Sequence, residues 1–432
     1  MRWAGLSKYL ARLGWDVHVV TASPNAADVK VPGVTVHVRT RRRTFNDWYV
    51  ATSSRIRGSA PAAAQATSTA SPATRATPAG TPAASVAAAH KPSLLKRAVG
   101  QLRGGIGMAM FFPDNARGWV MRAARTARGL LRAQPFDLVI TSGPPHSAHF
   151  AGVLATAGRR EPLWVDMRDP WSQALRDAQW DANKSRMLRV LVPRLEGVVF
   201  RHARRVVVNT TELAGMLRAD SAAPPVVYVP NGIDGELLPA RTAERLSGCS
   251  IAYVGTVYGA RNVAGVLAAM RDLLRDRPEL ASALKLRIAG HINSTHRARL
   301  QADVDAHGVA QCVEHVGVLP RAGALELLNR SHLALVLAQG QHMMVPAKLY
   351  ECVGLGVPTL VLTETDSATA REARRIGAFT LDGGDVQGIR ALLEDALSGR
   401  LPGAIPATAP ISHADLAREL DAVLRAEGAH TR

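Results

Sequence analysis

The chain has 432 residues, 47% hydrophobic and only 5% aromatic, with a formal net charge of +18. That length exceeds one ordinary core and favours two α/β domains with an insert. No apolar run approaches the ~18 residues of a membrane span, and no signal-peptide pattern follows Met1. Cys249, Cys312 and Cys352 are scattered, with neither metal nor disulfide spacing, so the expected setting is reducing and cytoplasmic.

Charge is uneven. Between Asp47 and Asp137 there is one acid, Asp114, against twelve Lys or Arg. A positive field suits nucleic acid, anionic lipid or phosphate-bearing substrates. The chain carries no helix-turn-helix, zinc or aromatic-strand signature, so nucleic acid is not an expected partner.

In chain order, Trp3, Leu6, Tyr9, Leu10 and Leu13 repeat at helical spacing across Met1 to Leu13. Short strand patterns follow at residues 16–21 and 34–38, the second running into Arg39, Arg41, Arg42 and Arg43. A doubly wound fold normally opens with a strand and a glycine-rich turn, so the first domain is expected to lack its first strand. Residues 58–89 are almost entirely Ala, Ser, Thr, Pro and Gly, the composition of a disordered insert. Order is expected to return between Lys96 and Arg132. There Arg122, Arg125, Arg128 and Arg132 line one side of a helix, and Val120, Ala123, Ala127 and Leu130 another. Such a helix is either a solvated surface element or a contact for anionic headgroups or a phosphorylated acceptor.

Alternating strand and helix patterns then run to the end. Strands are expected at 137–141, 163–166, 206–209 and 226–229, with a helix over 184–201 and Thr210 or Thr211 as a helix cap. After a connection at 237–248, a second series has strands near 251–254, 286–288, 313–315, 333–337, 359–362 and 378–380, and a last helix over 413–426. Two such series predict two Rossmann-like domains facing a cleft. Residues 1–225 form the first, 226–405 the second, and 406–432 a helix packing back on the first.

The segment Val345-Pro346-Ala347-Lys348-Leu349-Tyr350-Glu351-Cys352-Val353-Gly354-Leu355-Gly356-Val357-Pro358 carries the most chemistry. Pro346 suits a helix start. Lys348 and Glu351 are three apart and share one face, near N–H groups that attract anions. The pair reads either as a surface Lys–Glu contact or as a cation for a diphosphate beside a carboxylate for ribose hydroxyls.

This stretch resembles the donor-site motif of family 4 glycosyltransferases of GT-B fold, in particular the bacterial surface-polysaccharide branch. Further matching features recur in order: Lys8-Tyr9-Leu10 with Gly14-Trp15, Ser142-Gly143-Pro144-Pro145-His146-Ser147, Asp166-Met167-Arg168-Asp169-Pro170-Trp171, Pro230-Asn231-Gly232-Ile233-Asp234, and the run Gly255-Thr256-Val257-Tyr258-Gly259-Ala260-Arg261-Asn262. The resemblance implies an NDP-sugar donor, Lys348 and Arg261 at its diphosphate, Glu351 on the ribose and the Gly255-Thr256 turn against the phosphates. It places Asp169 at the sugar or acceptor, with Arg168 and His146 on the acceptor side. It also implies retaining transfer to a hydroxyl, without metal or cofactor, in polysaccharide or glycolipid synthesis at the inner face of the membrane. Asp382 and Asp385 flank Gly383-Gly384 at the wrong spacing for a metal motif. Where many relatives carry a second glutamate, eight residues before the ribose one, this chain has Met343. A nucleotide-binding subunit without turnover and a sugar-nucleotide epimerase are the alternative readings.

Overall fold

The computed structural model describes residues 2–22, 30–40, 114, 116–172, 186–402 and 412–428. The expected low-complexity insert at 58–89 and the Arg41–Arg43 cluster lie outside them.

The N-terminal half holds α1 (Arg2–Arg12), β1 (Val17–Thr21), β2 (Val34–Val38), α2 (Arg117–Ala133), β3 (Val139–Gly143), α3 (Ser147–Thr156), β4 (Leu163–Met167), α4 (Arg186–His202), β5 (Ala203–Val208), α5 (Thr211–Arg218) and β6 (Val226–Tyr228). β3-β4-β5-β6 form one parallel sheet and β1-β2 a separate parallel pair. Thr210 caps α5, its hydroxyl accepting from Leu213 N. The Val226 run, read from sequence as the start of the second unit, pairs with β5 instead. Its apolar residues declare a strand, but nothing local says which sheet takes it.

The C-terminal half holds β7 (Cys249–Val254), α6 (Ala264–Asp276), β8 (Leu284–Ala289), α7 (Ser294–His307), β9 (Val313–Gly317), α8 (Arg321–Asn329), β10 (Leu333–Leu337), α9 (Ala347–Gly354), β11 (Thr359–Leu362), α10 (Ala368–Arg375), β12 (Phe379–Leu381) and α11 (Val386–Leu397). Its six-stranded sheet is ordered β9-β8-β7-β10-β11-β12, all parallel. Here β7 sits between β8 and β10. Among the described residues, no strand takes the equivalent place between β1 and β3.

Period-two alternation builds the core on both faces of this sheet. Ile251, Tyr253, Leu333, Leu335 and Leu337 enter one cluster with Leu267, Met270 and Leu273 of α6. Ala252, Ala334 and Val336 enter the other with Leu349, Tyr350 and Val353 of α9. Two-sided burial explains why β10 reads as a continuous apolar run rather than an alternating one.

The last helix, α12 (His413–Ala426), returns to the N-terminal half. Leu416, Leu420 and Leu424 pack with Leu6 and Leu10 of α1 and with Trp164 and Val207. Gly5 permits the crossing, because a Cβ there would lie 2.0 Å from His413 Nδ1. The α1 helix also grips the connection between the halves. Lys8 Nζ donates to Asp234 Oδ2 at 2.5 Å, Tyr9 OH to Asp234 Oδ1 at 2.9 Å, and Arg2 to the carbonyls of Val229 and Pro230.

Candidate functional site

Loops from the carboxyl ends of β7, β8, β9 and β10 converge on one region, the crevice where an open α/β sheet binds ligands. Its floor is backbone. β7 runs into Gly255, β8 into Gly290, and β9 ends on Gly317. Gly255 N donates to Ala289 O at 2.9 Å and Gly290 N to Gly317 O at 2.8 Å. Gly290 has φ +143, and a Cβ there would lie 1.9 Å from Gly255 O. Tyr253 OH donates to Thr256 O at 2.9 Å and fixes the Gly255-Thr256 turn. A side-chain-free floor lets a ligand approach the main chain closely.

Arg261 follows on the same loop. Its guanidinium lies 4.4 Å from the Tyr258 ring centroid and donates to Gln341 Oε1 at 2.8 Å, while Gln341 Nε2 donates to Tyr258 OH at 3.2 Å. Arg261 Nε is buried, with no hydrogen-bond partner among the described residues.

The helix α9 begins at this crevice. Pro346 is its cap residue and supplies no side-chain hydrogen bond to the first turn, so the N–H groups ahead of Leu349 N, which donates to Pro346 O at 3.0 Å, stay available. The preceding loop is pinned through its carbonyls. His342 O accepts from Ala368 N, Met343 O from Thr210 Oγ1, Met344 O from Thr369 Oγ1 and Val345 O from Asn231 Nδ2. Thr210 and Asn231 belong to the N-terminal half, so these bonds also set how the halves meet. In a trans peptide the N–H opposes the C=O, so the amides of Met343, Met344 and Val345 turn away from these anchors, Met344 N reaching Gln341 O at 3.5 Å, while the peptide after Val345 has no N–H because Pro346 follows.

Lys348 and Glu351 meet on one face, Nζ to Oε2 at 2.6 Å. The other carboxylate oxygen, Oε1, accepts from Arg321 Nη1 at 2.7 Å. Burial alone would raise the Glu351 carboxyl, but the Lys348 and Arg321 cations outweigh it and hold it below its ordinary value.

Across from these loops stand the candidates of the N-terminal half. Arg168 and Asp169 follow the carboxyl end of β4. The Arg168 guanidinium turns to the carbonyls of Gly143 and Pro144 rather than to Asp169, and so braces the β3–α3 turn. Burial raises the Asp169 carboxyl; the adjacent Asp166 adds to that, and Arg168 and Arg261 oppose it. Asp169 thus feels a charge from each half. His146 stacks on Trp171, with centroids 4.7 Å apart and planes 5° from parallel. Burial, helped by His149 and Arg168, takes it down to about 3, so the imidazole is neutral. His149, wholly buried, also falls to about 3, and its Nδ1 lies 3.0 Å from Thr141 Oγ1. Asp114 anchors this corner by accepting from both N and Oγ of Ser147.

Asp382 and Asp385 have local structural partners: Asp382 accepts from Gly384 N, and Asp385 caps α11 through Gly388 N.

A model of the glycosyl transferase 4-like domain matches residues 1–232, more than half of the chain. The chain belongs to the glycosyl transferase 4-like family. Among solved structures, this family member is similar to Anabaena HepE in complex with UDP and glucose, with a TM-score of 0.58 at 13% identity, covering 98% of this chain and 95% of that one. It is also similar to sucrose-phosphate synthase from Thermosynechococcus elongatus, with a TM-score of 0.52 at 14% identity over 73% and 77% of the two chains. A glycosyltransferase from Rickettsia africae aligns with a TM-score of 0.50 at 12% identity over 71% and 81%. Identities this low carry the fold, which is GT-B. Curated protein sequences give no match.

The sequence reading named Gly255, Thr256, Arg261, Lys348 and Glu351, and these all lie on the loops and helix around one crevice. It named Asp169, Arg168 and His146 on the opposing half. It missed Arg321, Gln341 and Gly290. A glycine directly after an apolar strand is a usable signal for Gly290. Arg321 is one arginine in a chain full of them, and only the fold brings it to Glu351.

Proposed function

We propose that this glycosyltransferase moves a sugar from a nucleoside-diphosphate donor to a hydroxyl acceptor, with retention at the anomeric carbon, in the synthesis of a cell-surface polysaccharide or glycolipid. The observation that carries this reading is the Lys348–Glu351 pair on the opening turns of α9, beside a floor of glycine backbone. A diphosphate needs cations and free N–H groups, and a ribose needs a buried acceptor for two hydroxyls. The UDP and glucose in the similar HepE structure support the same class of donor.

In this reading Lys348 and Arg261 stabilise the charge that develops on the leaving diphosphate as the bond from the anomeric carbon to phosphate oxygen breaks. The acceptor oxygen bonds to that carbon and gives up its proton to the departing diphosphate. Asp169 and neutral His146 line the side from which sugar and acceptor approach. With Met343 in place of a carboxylate, the donor sugar is held by amides of the 342–345 loop.

The acceptor is proposed to be lipid-linked or phosphorylated. On α2, Arg122 and Arg128 bind main-chain carbonyls, while Arg125 and Arg132 are exposed beside exposed Met121. That face suits anionic headgroups at the inner membrane surface, and no described helix is long and apolar enough to cross a membrane.

The test is to incubate the purified chain with UDP-, GDP-, ADP- and dTDP-sugars and a panel of lipid-linked and phosphorylated glycans, following NDP release and product configuration by NMR. Transfer with retention supports the reading. NDP binding without transfer from any donor would favour a subunit that binds nucleotide without turnover.

A further inference from the structure

We infer that Arg321 is a positioning residue for Glu351, and that the Lys348–Glu351 ion pair opens when a donor binds while the Arg321–Glu351 pair persists. The inference rests on the donor site proposed above.

Both oxygens of Glu351 are engaged, Oε2 by Lys348 at 2.6 Å and Oε1 by Arg321 at 2.7 Å. The two bonds are not equivalent. Lys348 sits on the same short helix and Arg321 on another; their side chains are alike in exposure, 36% and 34%, so what differs is the group, a rotatable ammonium against a planar guanidinium. A flexible ammonium in a part-buried pair within one helix can swing to a stronger anion, its three donors being free to rotate. A diphosphate at the mouth of α9 is such an anion. Its arrival frees Oε2 for a ribose hydroxyl.

Losing both cations would leave a buried carboxylate uncompensated, which is strongly unfavourable. Arg321 prevents this. It comes from a different element, the first residue of α8, delivered by the turn Gly317-Val318-Leu319-Pro320. Gly317 has φ +84, a conformation suited to glycine. A cation at a helix N-terminus opposes the helix dipole, and no acidic residue lies in the first turn of α8 to relieve it. The carboxylate of Glu351 supplies that relief from outside the helix. One planar guanidinium bond keeps Glu351 ionised and oriented while its second oxygen changes partner. A carboxylate has about four acceptor sites, so Arg321 and ribose hydroxyls can be satisfied together.

The experiment titrates wild type, Arg321→Gln, Arg321→Lys and Lys348→Ala with UDP, GDP, ADP and dTDP, and with inorganic pyrophosphate, by calorimetry. Circular dichroism and Tm on each variant keep folding separate from binding. Arg321→Gln is expected to weaken the best nucleoside diphosphate by about tenfold, the loss of one charge-assisted contact, and to leave pyrophosphate unchanged. Arg321→Lys should restore most of the affinity. Arg321→Gln should also move the acid limit of nucleotide binding to higher pH, which a merely structural arginine would not do. Equal weakening of nucleotide and pyrophosphate, or no weakening of either while Lys348→Ala still weakens both, overturns the role of Arg321. If Lys348→Ala leaves both ligands unaffected, the donor-site reading itself falls.

Discussion

The α-carbon of Gly290 faces the carbonyl of Gly255 so closely that a Cβ there would stand 1.9 Å from the oxygen. Gly290 also has φ +143, where L residues are strained. The two strand ends β7 and β8 therefore meet only because Gly290 carries no side chain at this point.

Gly290→Ala should lower stability by about 2 kcal/mol or more, combining clash and backbone strain. Because the same contact forms the crevice floor, nucleoside-diphosphate affinity should fall too. Denaturant unfolding and calorimetric titration check the two effects. Ala at Gly129, which meets nothing within 4 Å, is the control and should leave binding unchanged.

Asp169 pairs a functional assignment with a stability cost. Its folded-state carboxyl is raised, burial being the first cause. The sign is that of a group whose contribution is favourable below its unfolded value and is lost as pH rises through the folded one. Ionisation of this side chain therefore opposes folding. Asp169→Asn should raise Tm, lower sugar transfer at least tenfold, and leave nucleoside-diphosphate binding intact. A lower Tm with unchanged transfer would argue for a purely structural carboxylate.

Glu351 has the opposite sign. Burial pushes its carboxyl up, but Lys348 and Arg321 hold it below its ordinary value. Its contribution is present above the unfolded value and is lost as pH falls through the folded one. Nucleotide binding should hold through mildly acid pH and fail only below the usual carboxylate range. Glu351→Gln removes the charge and leaves Lys348 and Arg321 facing each other, so nucleoside diphosphates should weaken more than pyrophosphate. A pH series of titrations with both ligands checks both statements.

Much of this arrangement is legible in the sequence. β10 at Leu333–Leu337, β11 at Thr359–Leu362 and α12 at His413–Ala426 coincide with their patterns, because strong periodicity and turn residues bound them. Lys348 and Glu351 are three apart on a helix, so their meeting follows from spacing alone. Contacts between distant segments are not legible. Arg321 reaches Glu351 across 30 positions, and Gln341 reaches Arg261 across 80. Arg168, matched to the family within the run Asp166-Met167-Arg168-Asp169-Pro170-Trp171, turns to the carbonyls of Gly143 and Pro144, a choice set by the turn it faces rather than by its neighbour Asp169. The sheet that takes Val226–Tyr228 is likewise decided by pairing with β5, and a three-residue strand carries no trace of it.

The most direct test of the central claim is the affinity of the purified chain for nucleoside diphosphates before and after Lys348→Ala. The account predicts saturable binding of at least one of UDP, GDP, ADP and dTDP, weakened about tenfold or more by loss of one cation from the diphosphate. Equal affinity in the two proteins would contradict a donor site at Lys348 and Glu351.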